Sequence, residues 1–235
     1  MVDSTTNDST MVSLGKFKVG GYAYWAPAGT TLPTDSATAL PSAYKLLGYL
    51  SEDGLTNTTD TDTTEIKDAN GTTVMKIITS YAESYQFALL EVLRAESAKL
   101  RYNSDAVTGT DKSMTIKHQM PSDEDFVLVF EIAMSGDVKD RLVIGNATRA
   151  EFGDRQVHAG DPQVYDITVS ANDMGSGVTA IEYVGIAASR SVAVTEALTG
   201  KVVDQANAEA LTGKVVDQVN AEETAEPAEE TPAAE

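Results

Sequence analysis

The longest regular pattern in the chain is a period-two alternation through "TTVMKIITSYAESYQFALLE". Met75, Ile77, Tyr81, Tyr85, Phe87 and Leu89 fall on one parity, and Lys76, Ser80, Ala82, Ser84 and Gln86 on the other. Period two over this length predicts an extended strand, Thr73 to Leu89, with one apolar and one small, polar face. At Leu89 the spacing changes. Leu89, Val92, Leu93 and Leu100 follow a helical repeat through "LLEVLRAESAKLRY", which predicts the main helix over 89–102.

Shorter β signals flank this centre. "VSLGKFKVGGYAY" reads as a strand interrupted by Gly20-Gly21, and "YKLLGYL" (Tyr44–Leu50) as another. "APAGTTLPTD" between them is turn and extended coil. "SMTIKHQM" resumes the β pattern, and "FVLVFEIAM" forms a hairpin with "VKDRLVIGNATRAEF" across Ser135-Gly136-Asp137. "QVYDITVSAND" and "AIEYVGIAA" complete a body that ends near Ser191. Strands around one helix predict a mainly-β fold, a β-sandwich or partial barrel with the helix packed against it.

One segment resists this pattern. "SEDGLTNTTDTDTTEIKDANG" (51–71) is rich in Thr and acids and nearly free of apolar residues. It reads as a long polar loop closed by the turn dipeptide Asn70-Gly71. Loops longer than about 12–15 residues are uncommon in compact domains unless functional or disordered.

The ends differ from the body. Residues 1–10 are polar and read as a mobile segment. Beyond Val192, "EALTGKVVDQANA" is followed directly by "EALTGKVVDQVNA", and then by the glutamate-rich "EETAEPAEETPAAE". Thirteen residues place the two copies roughly 140° apart on a helix and on opposite faces of a strand, so neither geometry gives them a shared packing stripe. A duplication under little structural constraint and a disordered acidic tail over 192–235 are expected.

Charge sharpens the division. Of the formal net charge of −19, −5 lies in 51–71 and −8 in 192–235, leaving a mildly acidic body. With no basic patch, binding nucleic acid by phosphate contacts is disfavoured. Cysteine is absent, which removes disulfides, thiolate metal sites and cysteine nucleophiles. The N-terminus lacks the basic and apolar regions of a secretory signal, so synthesis in a cytoplasm is expected. The longest apolar run, Phe126–Met134, contains Glu131 and is too short to span a bilayer as a helix, so no membrane insertion is expected.

Candidate chemistry is sparse. His118 and His158 read as structural histidines, and "LTGKV" lacks the upstream glycine and the Ser/Thr of a phosphate loop. "DTDTTE" (Asp60–Glu65) fails as a calcium loop, because its sixth and twelfth positions are Glu65 and Gly71. No enzyme activity, metal or cofactor is expected.

Two elements point to a family. "GYAYWAPAGTTLPTD" carries Ala-Pro-x-Gly-Thr (Ala26–Thr30) and Leu32-Pro33, and "GYLSEDG" (Gly48–Gly54) is a Gly-aromatic-x-Ser-Glu-Asp-Gly element. With the polar segment and the long strand running into a helix, the chain resembles the major tail proteins, or tail tube proteins, of long, flexible-tailed bacteriophages. The resemblance extends from about Val12 to Ser191. It implies a tail-tube fold over 11–191 and a structural virion role. It further implies homohexameric rings stacked into a tube through which phage DNA passes non-specifically during ejection into the host. Tail terminator, tape measure and baseplate or distal tail proteins would be its partners.

The resemblance also suggests which residues matter. The long loop would reach a neighbouring ring through Glu52, Asp53, Thr56, Asn57, Thr58, Thr59, Asp60, Asp62 and Thr64. Lys76, Ser80, Ser84 and Gln86 would line the lumen, although the same alternation suits a sheet face open to solvent. A tube protein of a contractile secretion system and a carbohydrate- or calcium-binding β-sandwich are the competing readings. The single tryptophan, Trp25, speaks against the latter.

Overall fold

A computed structural model describes residues 6–18 and 20–186. The duplicated segment and the acidic tail, 192–235, lie outside the described residues, as do the first five positions.

Among the described residues, eleven strands and one α-helix follow in chain order. These are β1 (Lys16–Phe17), β2 (Ala23–Pro27), β3 (Lys45–Gly48), β4 (Leu50–Lys67), β5 (Thr73–Leu89), α1 (Ala95–Tyr102), β6 (Val107–Thr110), β7 (Ser113–Ile116), β8 (Phe126–Ala133), β9 (Val138–Phe152), β10 (Tyr165–Ala171) and β11 (Ile181–Ile186). Nine of the strands form one antiparallel sheet with the path β3-β2-β8-β9-β10-β5-β4. β1 joins it beside β8, and β11 beside the first half of β9. The two ends of the path, β3 and β4, are separated in sequence by Tyr49 alone. The sheet therefore curls into the expected partial barrel, and β6 and β7 form a separate hairpin.

The core fills the concave side. Trp25, Leu47, Phe87, Leu89, Phe126, Leu128, Phe130, Ile144 and Ile167 are buried there together with Ala98 and Leu100 of α1. A smaller cluster, Ala26, Tyr44, Val127, Val129 and Val143, lies on the opposite face. The irregular stretch between β2 and β3 covers it. Arg141 fixes that cover. Its guanidinium donates to the carbonyls of Asp35 (2.7 Å) and Thr38 (2.8 Å) and pairs with buried Glu131, 2.6 Å away. The β8–β9 register sets Glu131 directly opposite Arg141, so each ion finds its partner across one rung of the ladder.

Two sequence expectations require correction. The segment 51–71 is not a loop, because Leu50–Lys67 forms β4 along its whole length and pairs with β5. Its many threonines are β-branched and favour extended backbone, and the neighbouring strand satisfies the backbone groups that a loop would leave to water. Only Asp68–Thr72 turns. Gly71 there takes φ +84°, and Asp68 Oδ1 accepts from the amides of Asn70 and Thr72.

The helix is also shorter than predicted. Leu89 remains in β5, paired with Tyr165 and Leu50, and α1 begins only at Ala95. Leu89 is apolar because it continues the Tyr85–Phe87 face of the strand, which coincides with a helical spacing to Val92 and Leu93. Asp111 Oδ1 accepts from the Ala95 amide at the start of α1 (2.8 Å). At its end, Arg149 donates to the carbonyls of Leu100 and Lys99.

One buried group stands out on β9. The Asp140 carboxyl is hydrogen-bonded to Glu182 of β11, while its Oδ1 is buried without a partner. Burial, then the hydrogen bond and the charge of Glu182, push it up to about 7. A carboxyl whose folded value lies above its unfolded one stabilises the protein at acid pH, and that contribution is lost as pH rises through the folded value. Melting temperature should therefore fall between about pH 4 and pH 7 at this site. Asp140→Asn should raise it by several degrees at pH 8 and change it little at pH 5, as differential scanning fluorimetry would record. An equal effect at both pH values would refute this assignment.

Candidate functional site: a projecting two-stranded arm

β4 and β5 outrun the sheet. From Glu83 to Leu89, β5 pairs with both β10 and β4, whereas from Thr73 to Ala82 it pairs with β4 alone. Every described residue from Thr56 to Ala82 is exposed. Ten residues at about 3.4 Å each make this an arm roughly 30 Å long.

Its root is held by Glu83. The carboxylate accepts from Tyr85 Oη (2.6 Å), Asn57 Nδ2 (2.6 Å) and Thr179 Oγ1 in the connection before β11. Burial alone would raise this acid, but the donors Thr179, Tyr85, Asn57 and Tyr81 outweigh it and hold it below the usual carboxylate range. Burial, and then the same contact, pushes the Tyr85 hydroxyl upward. Glu83 therefore stays ionised and ties the arm to the body.

Residues paired across two antiparallel strands share a face, so the register sorts the arm. The even positions of β4 oppose Gln86 (Thr56), Ser84 (Thr58), Ala82 (Asp60) and Ser80 (Asp62). The odd positions oppose Phe87 (Leu55), Tyr85 (Asn57), Glu83 (Thr59) and Tyr81 (Thr61). Thr56, Thr58, Asp60 and Asp62 thus stand on one face with Ser80, Ser84 and Gln86. Two residue sets that the sequence treats as separate surfaces are one surface. Ser80 Oγ donates to Asp62 Oδ2 across it (2.9 Å).

This face continues into the sheet. Ser84 lies in a row with Thr58, Ser170 and Thr148, and Gln86 in a row with Thr56, Thr168 and Glu151. Four strands together present small hydroxyls, an amide and acids. Periodicity within one strand cannot show this, because the rows join residues of two strand pairs, β4–β5 and β9–β10, that lie more than 60 residues apart in the chain.

Other expected residues fall elsewhere. Glu52 and Asp53 lie in a bulge where β4 carries extra residues between the pairs Leu50–Leu89 and Leu55–Phe87, with Gly54 at φ +70°. Asn57 and Thr59 are on the odd face, by the root. A second bulge moves Lys76. The register steps from Asp62–Ser80 to Thr63–Ile78, leaving Thr79 unopposed, so Lys76 faces Glu65 on the odd face, 3.9 Å away. Thr64 stays on the even face, opposite Ile77. The adjacent apolar pair Ile77-Ile78, which breaks strict alternation, is the sequence signal for this shift.

The two histidines are not brought together with other reactive groups. His118 lies against the Tyr102 ring and His158 beside Asp161. Among the described residues, no group of three or more His, Asp or Glu is placed to hold a metal ion, and no helix is long and apolar enough to cross a membrane.

The sequence model of the family described as "Phage tail tube protein" matches residues 5–195. The chain belongs to that family. It is a structural subunit of a phage tail tube, a component of the virion tail. No curated protein sequence matches it.

Solved structures that resemble this tail tube protein include the following three. The tube-terminating cap of the anti-feeding prophage is 11% identical, with TM-score 0.39, covering 79% of this chain and 100% of that one. The sheath–tube complex of the PVC extracellular contractile injection system, in its extended state, is 12% identical (TM-score 0.36; 72% and 93% covered). The sheath/tube terminator of that system is 13% identical (TM-score 0.35; 71% and 96% covered).

Proposed function

We propose that this tail tube protein assembles as homohexameric rings stacked into a tube, with the β4–β5 arm reaching an adjacent ring. In this reading the polar face of β9, β10, β5 and β4 lines the channel through which the phage genome is ejected. The observation that carries it is the four-strand-wide face of Ser, Thr, Gln and acidic residues, Ser84 and Gln86 at its centre, on a sheet whose other side is core. A channel wall of hydroxyls and carboxylates without paired cations repels phosphate, so duplex DNA slides past it rather than binding. Tail terminator, tape measure and distal tail proteins would meet the two ends of such a tube, and the protein would be made in the host cytoplasm.

Labelling tests the lumen assignment. The chain has no cysteine, so Ser80→Cys and Ser84→Cys each introduce a single thiol. Neither residue belongs to the core, and both variants should fold normally. In assembled tubes the thiols should be shielded from a bulky, impermeant maleimide while reacting freely in the monomer. Ready labelling in intact tubes would place this face outside.

A further inference from the structure

The apolar residues of the arm change faces part-way along it. Near the root, Tyr81, Tyr85 and Phe87 stand on the odd face, which continues the core. Beyond the bulge at Thr79, Met75 pairs with Ile66 and Ile77 with Thr64, on the even face. One extra residue in β5 reverses every side chain that precedes it. The even face is therefore polar from Gln86 to Ser80 and apolar from Ile77 to the tip. Ile66, Met75 and Ile77 are 46%, 54% and 43% exposed there. On the odd face at the same level stand the Glu65–Lys76 ion pair, with Ile78 and Val74 on either side of it along β5.

We propose that Ile66, Met75 and Ile77 form the anchor by which the arm docks on a second copy of this chain. The stretch of the same face around Thr58, Asp62, Ser80 and Ser84 stays in water. This rests on the reading that the arm links subunits, and it specifies which end and which face make the contact.

Three observations select that occupant. First, Ile66, Met75 and Ile77 are exposed and no described residue of the body covers them, and a two-stranded ribbon without a third layer is at best marginally stable in water. Second, charge divides the arm as apolarity does. Residues 63–78 carry Glu65, Asp68, Lys67 and Lys76 and are neutral, whereas Glu52, Asp53, Asp60 and Asp62 give the root half of β4 only negative charge. In a chain of net charge −19, the neutral end is the part that approaches another acidic copy without repulsion. Third, a tube repeats the same subunit, so a second copy is the surface always within reach of a 30 Å arm, a length estimated at about 3.4 Å per residue.

The test compares the two faces of the tip. Ile66→Ser/Ile77→Ser should leave the melting temperature of the monomer unchanged and raise the concentration needed for tube formation at least tenfold. Glu65→Gln/Lys76→Gln, on the other face, should assemble like the parent. Equal assembly of both variants, or loss confined to the Glu65/Lys76 variant, would overturn the proposal. If a chain lacking the arm still assembles normally, the arm reading itself fails. If that chain fails and Ile66→Ser/Ile77→Ser assembles, only the anchor is wrong.

A photo-crosslinking residue at Met75 identifies the occupant without altering Ile66 or Ile77. In parent-like tubes it should yield a covalent dimer of this chain. Crosslinking to a different tail protein, or to nothing, would overturn the second copy as occupant.

Discussion

Arg141→Met should be the most damaging single substitution in the body, lowering stability by about 3–5 kcal/mol. The side chain is buried and gives up two carbonyl contacts and its pairing with Glu131 at once. Glu131 would keep only Lys18, whose ammonium is 3.8 Å away and half in water. A buried carboxylate without an adequate partner is the costly outcome, more than the loss of the bonds themselves. Against a typical total of about 5–15 kcal/mol, the variant is close to unfolding. Removing both charges, as in Glu131→Met/Arg141→Met, should recover a large part of the loss, because no unpaired ion remains. Urea titration of the two variants measures this. A single variant within about 1 kcal/mol of the parent, or a double variant worse than the single, would contradict the account.

Glu131 also shows what the sequence could and could not convey. A glutamate inside "FVLVFEIAM" is visible at once as an acid in a buried strand. Its partner is ten residues away, beyond a hairpin turn, and only the ladder register of β8 and β9 puts the two in contact. The strands themselves were legible wherever one face is core: period two identified β5, and the hairpin of β8 and β9 followed from its turn. β4 was not legible, because neither of its faces is buried beyond Leu55 and no alternation of apolar residues marks it. The family resemblance, carried by local motifs around Ala26–Pro33 and Gly48–Gly54, agrees in extent with the family match over 5–195. The polar face was half legible. Ser80, Ser84 and Gln86 do lie together, but the bulge at Thr79 removes Lys76 from them and brings Ile77 and Met75 to their side.

The second large effect is on assembly. Joining Thr59 to Glu83 through an Asn-Gly turn deletes the arm beyond its root. Those two residues are direct cross-strand partners, and a two-residue turn suits that geometry. Glu83 and its contacts to Asn57, Tyr85 and Thr179 remain. No deleted residue belongs to the core, so the shortened chain should keep a β-rich circular dichroism spectrum and a cooperative melt close to the parent's. Tubes should not form at any concentration at which the parent polymerises. Sedimentation and negative-stain microscopy read both properties on one preparation. A shortened chain that polymerises normally would remove the arm from the assembly mechanism. One that fails to fold would show that the arm supports the body, contrary to its exposure on both faces.

The most direct test of the whole account is electron cryomicroscopy of tubes assembled from the purified chain. The expected map has six subunits per ring, Ser84 and Gln86 facing the channel, and each β4–β5 arm seated on a subunit of the adjacent ring. Tubes in which the arm stays within its own ring or projects into solvent, with the Ser84 face turned outward, would contradict it.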